Sequence, residues 1–521
     1  MRRLLIFRIL QGVLFIIIIT LFYLMVSCTE DNNTEIPDPL FSYFFFSKED
    51  NQGLDRDYIV DSIKLAQCDT IVLFVPQVET DSLIARFGGD YSSVFVDDIE
   101  QISGVTANNF NKQVDYTVIS KNGSRRKYCF VINGYNGLPV VEIETEDSKP
   151  IESKDEYLKA TITIKNTPKE GLLTLDGQIR GRGNVTWRNF PKKPYKIKLS
   201  AKTGLFGFPA NKDWVLLADY TDKSLMRTAY MSEISKAVGL DFTINYQYID
   251  LYVNRDYRGT YILTDQVEKA ESRVNVSSDG YIIEDDTYFY AEPFYFKTTI
   301  YGRNYTFKYP KVQGEDESTL FISGYMESVE NALSMLSSNI DNDNYTKLID
   351  TDSFAKWYIV SELTGNLDPN IYYYLPSRNE KIKMGPIWDA EWSLGLACKG
   401  NPDEWYGWFM PHQHPPMAPN EAYWMNQLYF KDLFQSPHFV ERLKANWADC
   451  KEAVTKASLK LKEERGILIY TEKCNFVKWP ILEEYIGGTL IVCGGWEKEV
   501  DYIENWLSDR IKWFDSYIGG L

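Results

Sequence analysis

The residues of this chain best suited to chemistry lie in two short acidic clusters near the start of its last third. The first reads Gly365-Asn366-Leu367-Asp368-Pro369-Asn370, and the second reads Gly385-Pro386-Ile387-Trp388-Asp389-Ala390-Glu391. A carboxylate can act as a general base, and carboxylate and amide oxygens are the ligands that hard divalent cations take in proteins. Together the clusters could supply a base and the ligands of a divalent cation, which is the set that phosphoryl transfer needs.

The segment between the two clusters is predicted to be a β-hairpin. Apolar and aromatic residues fill 371–375, a turn covers 377–380, and a second short strand covers 381–384. The chain thus carries an acid and an amide, then a hairpin, then a pair of acids. A kinase-like lobe carries its catalytic base and metal ligands in this order. The alternative for Asp368 is a turn former before Pro369, which is a common use of aspartate.

Composition narrows the classes of function. The chain has 521 residues, 44% of them hydrophobic and 15% aromatic, which is a globular composition with room for about two to four domains. The formal net charge of −17 disfavours nucleic-acid binding, because an acidic surface repels phosphate backbones. Only three histidines are present, so carboxylates are better candidates for chemistry. The seven cysteines lack metal-site spacing, and a Cys68–Cys129 disulfide is one open pairing.

The amino terminus predicts the compartment. Arg2 and Arg3 precede an apolar run over residues 9–25, and small residues then lead to Cys28. This pattern resembles a bacterial lipoprotein signal, with residues 1–28 as the signal peptide and a lipid on Cys28 as the membrane anchor. Residues 29–37 form an acidic tether that resembles the surface-export signal of Bacteroidetes lipoproteins. We expect an extracytoplasmic protein, lipid-anchored in the cell envelope at the outer membrane; an uncleaved membrane anchor is the alternative.

Residues 38–137 are predicted to form an all-β immunoglobulin-like sandwich. Short β-branched and aromatic runs recur at 70–75, 94–96, 116–119 and 128–132, and the turn at 121–124 is predicted to join the last two as a hairpin. The segment 104–118 resembles the Ig-like modules that precede catalytic domains in Bacteroidetes surface proteins. A spacer or adhesive role is expected for this region, and it contains no candidate site.

The rest of the chain, residues 138–521, is β-rich first and helix-rich later. This order predicts an α+β, bilobal, atypical protein-kinase-like fold with an amino-terminal lobe over about 138–270 and a carboxy-terminal lobe over about 271–521. A helix is predicted over 225–238, with Asp222 or Ser224 as its cap and Gly239 at its end. A second helix is predicted near the carboxyl terminus, with a periodic apolar face over residues 500–517.

A basic, glycine-rich segment lies in the amino-terminal part of this region, from Arg180 to Trp187. Two glycines spaced by one residue let a backbone approach a polyanion and arginine adds planar donors, so Arg182 and Gly183 are candidate nucleotide contacts. In the strand that follows, Lys196 and Lys198 share one face, which predicts lysines directed at nucleotide phosphates. The alternative is a glycine-rich hairpin with a solvated lysine face.

Taken in chain order, several segments resemble the spore-coat CotH kinase family, and the resemblance covers residue 138 to the carboxyl terminus. The segments are 180–187, Pro191-Lys192-Lys193-Pro194-Tyr195, 210–218, 222–227, 251–254, 257–263, Gly365-Asn366-Leu367-Asp368 and Gly385-Pro386-Ile387-Trp388-Asp389. The family implies a secreted, atypical protein-kinase-like fold. It also implies that ATP and a divalent metal, Mg²⁺ or Mn²⁺, are used to phosphorylate Ser or Thr of a protein partner.

Roles follow from the resemblance motif by motif. Asp368 would be the catalytic base, Asp389 would hold the metal that bridges the phosphates, and Asn370 would be a second ligand. The family usually has Trp-Asp-x-Asp where this chain has Trp388-Asp389-Ala390-Glu391. Glu391 is then a metal ligand whose longer arm moves the ligand oxygen by about one carbon–carbon bond, and this could weaken magnesium binding. Glu233 would pair with Lys196 or Lys198, as kinase helix C does, or would lie on a solvated helix face.

Two hypotheses for function come from different classes. The first is an extracytoplasmic, lipid-anchored kinase-like enzyme. The second is a catalytically weak pseudokinase that acts as a surface interaction or glycan-binding protein. The retained Asp368 and Asp389 favour the first, whereas Glu391 and the scarcity of ATP outside the cytoplasm favour the second. Dense aromatics after residue 403 would form a sugar-binding platform if exposed, or fill a helical core if buried: Trp405, Trp408, Trp424 and Tyr429.

Overall fold

In the computed structural model, two compact units meet in the chain between residues 134 and 135. The structure describes residues 41–133, 138–396 and 427–521, with residues 422 and 425, except for short gaps at 52–53, 55–56, 61, 76–79, 168–170, 470, 487–488 and 490. The predicted signal peptide and tether with Cys28 lie outside the described residues, as do Trp405, Trp408 and Trp424. Among the helices in these ranges, none has the length and apolar composition of a membrane span.

The first unit contains two sheets. One has the strand order β2-β1-β4-β7 and the other β3-β9-β8-β5-β6. The strands are β1 Tyr43–Phe46, β2 Tyr58–Ile59, β3 Thr70–Phe74, β4 Leu83–Gly88, β5 Ser93–Val96, β6 Ile99–Glu100, β7 Ala107–Asn108, β8 Val114–Ile119 and β9 Arg125–Asn133. The four predicted strands and the β8–β9 hairpin are confirmed. The all-β prediction is wrong in one respect, because a short helix, α1 (Ser62–Gln67), precedes β3.

An aromatic core joins the two sheets. Alternating residues of each strand point inward, and the rings of Phe44 on β1 and Phe130 on β9 stack with centroids 3.9 Å apart. Both side chains are fully buried. Cys68 packs against this core, whereas Cys129 lies beside Asp115 and Lys127, and both cysteines are free thiols. The open Cys68–Cys129 pairing is therefore not made in the structure.

The second unit begins with a closed barrel of seven strands in the order β10-β11-β12-β13-β14-β16-β15. The pairs are antiparallel except for β10 and β15, which close the barrel in parallel. Alternate residues fill the interior with aliphatic and aromatic side chains, such as Ile162, Ile197 and Trp214. The barrel strands are β10 Val140–Thr145, β11 Leu158–Thr167, β12 Gly171–Gly181, β13 Tyr195–Thr203, β14 Asn211–Leu217, β15 Tyr246–Val253 and β16 Asp256–Asp265.

Beyond the barrel, an antiparallel sheet is packed with helices around a larger core. Its strand order is β18-β19-β17-β20-β21, with β17 Tyr281–Asp285, β18 Tyr295–Lys297, β19 Asn304–Tyr309, β20 Asn370–Leu375 and β21 Lys383–Trp388. The helices of this unit are α2 Val185–Asn189, α3 Arg227–Val238, α4 Glu317–Ser334, α5 Thr351–Thr364, α6 Phe430–Leu433, α7 Pro437–Leu468, α8 Thr471–Lys478 and α9 Trp496–Gly520. Short 3₁₀ turns cover Glu146–Ser148, Phe289–Ala291, Met335–Ser337 and Asn344–Lys347. The α+β class is confirmed.

Capping residues set the ends of the two helices that lead into the site. The predicted helix is confirmed with its start two residues later, but its N-cap residue is Met226 and not Asp222 or Ser224. Asp222 still accepts a hydrogen bond from the first backbone N–H of α3 at 2.9 Å, and Gly239 ends the helix in the left-handed region. Asp350 caps α5 through the N–H of Ser353 at 2.9 Å. Gly365, with φ 54°, ends α5 and turns the chain toward the first acidic cluster.

Candidate active site

A cavity of about 340 Å³ lies between the rim of the barrel and strands β17, β20 and β21 of the five-stranded sheet in the second unit. The barrel contributes the loop after β12 and the end of β14. The sheet contributes the end of β17 and the two acidic clusters. Six of the predicted site residues are among those that line the cavity: Arg182, Gly183, Asp368, Asn370, Asp389 and Glu391.

The predicted hairpin is confirmed, and it brings the two acidic clusters together. β20 and β21 pair antiparallel with Asn370 opposite Trp388, so Asp368 precedes one strand and Asp389 follows the other at the same open end. The buried side chain of Asn366 joins the two clusters. Its Nδ2 donates to the backbone carbonyl of Asp389 at 2.7 Å, and its Oδ1 accepts from the N–H of Asp368 at 3.2 Å. The backbones of the two aspartates are thus fixed to each other.

The glycine-rich loop places Arg182 against the sheet. The guanidinium lies 5.6 Å from the centre of the Trp388 ring, which is a cation–π contact. A Cβ at Gly181 would lie 2.4 Å from the ring of Trp187, so the ring would have to move to admit a side chain. Gly183 adopts φ 80°, a backbone conformation that glycine takes without strain. The positive φ of Gly183 therefore supports a close turn there, whereas Gly181 is the last residue of β12 and lies against Trp187.

Burial and mutual repulsion shift the titration of the two aspartates. Burial, with the nearby charge of Asp389, raises the pKa of Asp368 to about 8. Asp389 keeps solvent contact inside the cavity, but the surrounding protein separates it from bulk water and raises its pKa, while Arg182 opposes this rise. Within the described residues, neither carboxylate forms an ion pair closer than 4.0 Å. This pair of acids is therefore short of compensating positive charge.

Glu391 lies deeper in the cavity wall. Its Oε1 accepts hydrogen bonds from the backbone N–H of Thr221 at 2.6 Å and from the Thr221 hydroxyl at 2.7 Å. Burial raises its pKa to about 7, and these two hydrogen bonds oppose the rise. Asp219 lines the same wall, and its Oδ2 accepts from the Thr228 hydroxyl at 3.1 Å. Thr221 thus holds one oxygen of Glu391. The role of Glu391 as a metal ligand stays a prediction.

Asn370 is held from the centre of the sheet. Its Nδ2 donates to Oε1 of Glu284 on β17, a carboxylate that is 4% exposed. Nζ of Lys308 on β19 lies 2.6 Å from the other oxygen of Glu284. The three side chains form a row across three adjacent strands, and Asn370 is the member nearest the acidic pair.

Three predicted nucleotide contacts lie elsewhere. Lys196 forms an ion pair with Asp213 at 2.8 Å, and Lys198 is exposed. The alternation along β13 was predicted correctly, but the barrel is closed and its inward face is filled, so the lysine face lies outside. Glu233 pairs with Lys236 at 2.9 Å and with Lys460 at 3.3 Å. The predicted Glu233 pair with Lys196 or Lys198 is therefore wrong, and none of the three residues is among those that line the cavity.

The described residues contain no group of three or more His, Cys, Asp or Glu side chains arranged to hold a metal ion. Mg²⁺ does not need such a group, because it usually keeps several waters and takes one or two carboxylates together with substrate phosphates. The carboxylate of Asp389 is open to the cavity and lies beside a second uncompensated acid. The amide of Asn370 is held at the adjacent end of β20. These donors fit a divalent cation that is completed by phosphate and water.

Three residues at the site, Asp219, Glu284 and Asn366, had no predicted role. Asn366 belongs to the first acidic cluster, but its hydrogen bond to Asp389 depends on the hairpin register. Glu284 opens a run of three acids at the end of an apolar strand, and Asp219 directly follows the apolar run 214–218. The sequence signal for Glu284 and Asp219 was an acid at the end of an apolar run. A carboxylate at such a position is costly to bury unless it has a partner or a function.

Comparison with known proteins agrees with this geometry. The family model described as CotH kinase protein matches residues 179–514, which include the glycine-rich loop, both acidic clusters and most of α9. No curated protein gives a significant match to the chain. The family match spans more than half of the chain and covers every strand and loop that lines the cavity. The chain therefore belongs to the CotH kinase family.

Proposed function

We propose that this protein transfers the γ-phosphoryl group of ATP to a Ser or Thr hydroxyl of a protein partner, with Mg²⁺ or Mn²⁺ as cofactor. The observation that carries the proposal is the pair Asp368 and Asp389. The two carboxylates lie at the open end of one hairpin, are fixed to each other through Asn366, and line a cavity large enough for part of a nucleotide. A kinase needs one group that acts as a base toward the acceptor hydroxyl and another that binds the cation. The two aspartates would divide these roles.

The residues of this chain would divide the work as follows. Asp389 and Asn370 would hold the cation, which would neutralise charge on the phosphates. Arg182 and the backbone at Gly183 would bind phosphate oxygens. Asp368 would orient the acceptor hydroxyl and accept its proton.

Asp368 must be ionised to act as a base, and the charge of Asp389 is one cause of its raised pKa. Positive charge held at Asp389 would therefore lower the pKa of Asp368. Burial is the larger cause of the raised pKa, so a cation at Asp389 would increase the ionised fraction of Asp368 without being the sole condition for it.

We also propose that the second unit has the two lobes of a protein-kinase-like fold and that the first unit is an immunoglobulin-like sandwich. Residues from 182–244 line one side of the cavity and residues from 284–392 the other, which supports an amino-terminal lobe over about 138–270 and a carboxy-terminal lobe over about 271–521. The two sheets and the common aromatic core of the first unit support an immunoglobulin-like sandwich with a spacer or adhesive role.

We also propose an extracytoplasmic location, with a lipid on Cys28 that anchors the protein in the cell envelope at the outer membrane. The support is the sequence of residues 1–28, in which a basic start and an apolar run lead to a cysteine. Replacing Cys28 by alanine should abolish labelling by a radioactive fatty acid. Unchanged labelling would contradict the anchor.

The test of the proposed function separates the two aspartates. In full-length protein, Asp389→Ala should remove the dependence of ATP binding on Mg²⁺ or Mn²⁺, as measured by calorimetry. Asp368→Ala should keep metal-dependent ATP binding and lose transfer of ³²P to a protein acceptor. The control is Asp176→Ala, which removes an exposed carboxylate from the outside of the barrel.

A catalytically weak pseudokinase that acts as a surface interaction or glycan-binding protein is the second candidate. The hydrogen bonds from Thr221 to Glu391 favour it, because they occupy one oxygen of the residue that replaces the usual aspartate. Wild-type protein that binds no nucleotide with either metal would establish the second candidate over the first. Metal-dependent binding with no loss of transfer in Asp368→Ala would refute the assignment of the base.

A further inference from the structure

Glu284 is a buried carboxylate that the proposed mechanism does not use. It lies on β17, the central strand of the five-stranded sheet, and lines the cavity wall. A buried carboxylate is costly unless it is paired and hydrogen-bonded. Both of its oxygens have such partners: Nζ of Lys308 lies 2.6 Å from Oε2, and Nδ2 of Asn370 donates to Oε1.

The strand register explains why these three side chains meet. β17 pairs with β19 on one side and with β20 on the other, and Glu284 lies opposite Thr306 and Tyr372. Asn370 is two residues from Tyr372 and so lies on the face of Glu284 as a diagonal neighbour, while Lys308 is the extra residue at the register shift between β17 and β19. The row is therefore fixed by backbone pairing, and it ends at the residue beside the acidic pair.

We infer that Glu284 is a positioning residue that determines which end of the Asn370 amide faces the cation. An ionised carboxylate accepts hydrogen bonds and donates none, so only the NH₂ end of the amide can face it. The amide oxygen is then turned away from Glu284. This inference rests on the proposed function, in which that oxygen is a ligand of Mg²⁺ or Mn²⁺.

Lys308 serves the same arrangement from the other side. Its ammonium pairs with Oε2, which leaves Oε1 for the amide, and its charge opposes the rise that burial causes in the pKa of Glu284. A neutral group in place of the carboxylate could donate to the Asn370 oxygen as well as accept from its nitrogen. The amide could then turn by half a rotation and present NH₂ to the cation, which repels it.

The first variant for the test is Glu284→Gln, which keeps the shape of the side chain and adds a donor. In full-length protein titrated with Mn²⁺ in the presence of ADP, electron paramagnetic resonance should show affinity for Mn²⁺ lowered about tenfold or more, as for other residues that orient metal ligands. The matched control is Glu292→Gln. Glu292 also lies near Lys308, at 3.7 Å, but it forms no hydrogen bond to Asn370, so Mn²⁺ affinity should stay within about twofold.

The second variant is the double exchange Glu284→Gln with Asn370→Asp, which conserves the total charge. The glutamine NH₂ can donate to one oxygen of the new aspartate, whose other oxygen then faces the cation. We expect Mn²⁺ affinity to return to within about threefold of wild type.

Each outcome decides the inference. Glu284→Gln protein with wild-type affinity for Mn²⁺ would overturn it and leave the proposed function intact. A double variant that is folded by its thermal midpoint yet binds Mn²⁺ no better than Glu284→Gln would also overturn it. Wild-type protein that binds no Mn²⁺ would overturn both the inference and the proposed function.

Discussion

Replacing Asp368 by asparagine should stabilise the metal-free protein at neutral pH, although it removes the proposed base. The pKa of Asp368 rises from 3.8 to about 8 on folding, because of burial and the charge of Asp389. The folded state therefore binds this proton more tightly than the unfolded state does. The resulting stability is fully present below about pH 4, is lost as the pH rises from about 4 to 8, and changes no further above that range.

The magnitude follows from the size of the shift. Each pH unit between the two pKa values costs about 1.4 kcal/mol, so ionisation of Asp368 costs at most about 1.6 kcal/mol at pH 5 and about 4 kcal/mol at pH 7. The second unit has about 390 residues, for which the entropy of unfolding is about 0.8 kcal/mol/K. The midpoint of Asp368→Asn should therefore gain about 3 °C relative to wild type between pH 5 and pH 7.

Thermal midpoints from scanning fluorimetry at pH 5–9, with EDTA present, measure this difference. Asp176→Asn is the control, because its carboxylate is exposed and its removal should give no pH-dependent difference. A midpoint difference between Asp368→Asn and wild type that stays constant from pH 5 to pH 8 would show that Asp368 titrates normally. The proposed coupling between Asp368 and Asp389 would then be refuted.

Two further substitutions test how the site is built. Gly181→Ala should lower the free energy of unfolding by about 1–3 kcal/mol in urea, because the new Cβ would lie 2.4 Å from the Trp187 ring; Gly314→Ala, which meets no atom within 4 Å, is its control, and equal losses would contradict the argument. Asn366→Ala should lower phosphoryl transfer at saturating ATP by roughly tenfold or more, since it removes the hydrogen bonds at 2.7 and 3.2 Å that fix both aspartates. An unchanged rate would show that the two loops hold their positions without Asn366.

Local patterns in the sequence predicted much of the fold and six of the residues that line the cavity. The hairpin between the acidic clusters could be predicted because alternation and a polar turn are local signals, and its register then placed Asp368 beside Asp389. Helix α5, which precedes the hairpin, ends at Gly365 because glycine takes the left-handed conformation without strain, and this signal is also local. Where one short segment carries both the element and its chemistry, the sequence is sufficient.

Contacts between distant segments could not be predicted in the same way. The alternation in β13 showed that Lys196 and Lys198 share a face, but only closure of the barrel decides that this face lies outside. Glu284 and Asn370 are 86 residues apart and meet because β17 and β20 are neighbours in the sheet. Strand order is a property of the whole unit, and the sequence of one strand does not contain it.

The closed barrel also has a mechanical consequence. The chain enters the second unit through β10, which is bonded to β11 over six residue pairs and to β15 over four. Tension applied from the amino-terminal side would pull β10 along its own axis, so both ladders would be loaded in shear and many hydrogen bonds would have to break together. A strand at a free sheet edge, pulled sideways, would instead unzip one bond at a time. The barrel is therefore built to bear load at the point where the first unit joins it.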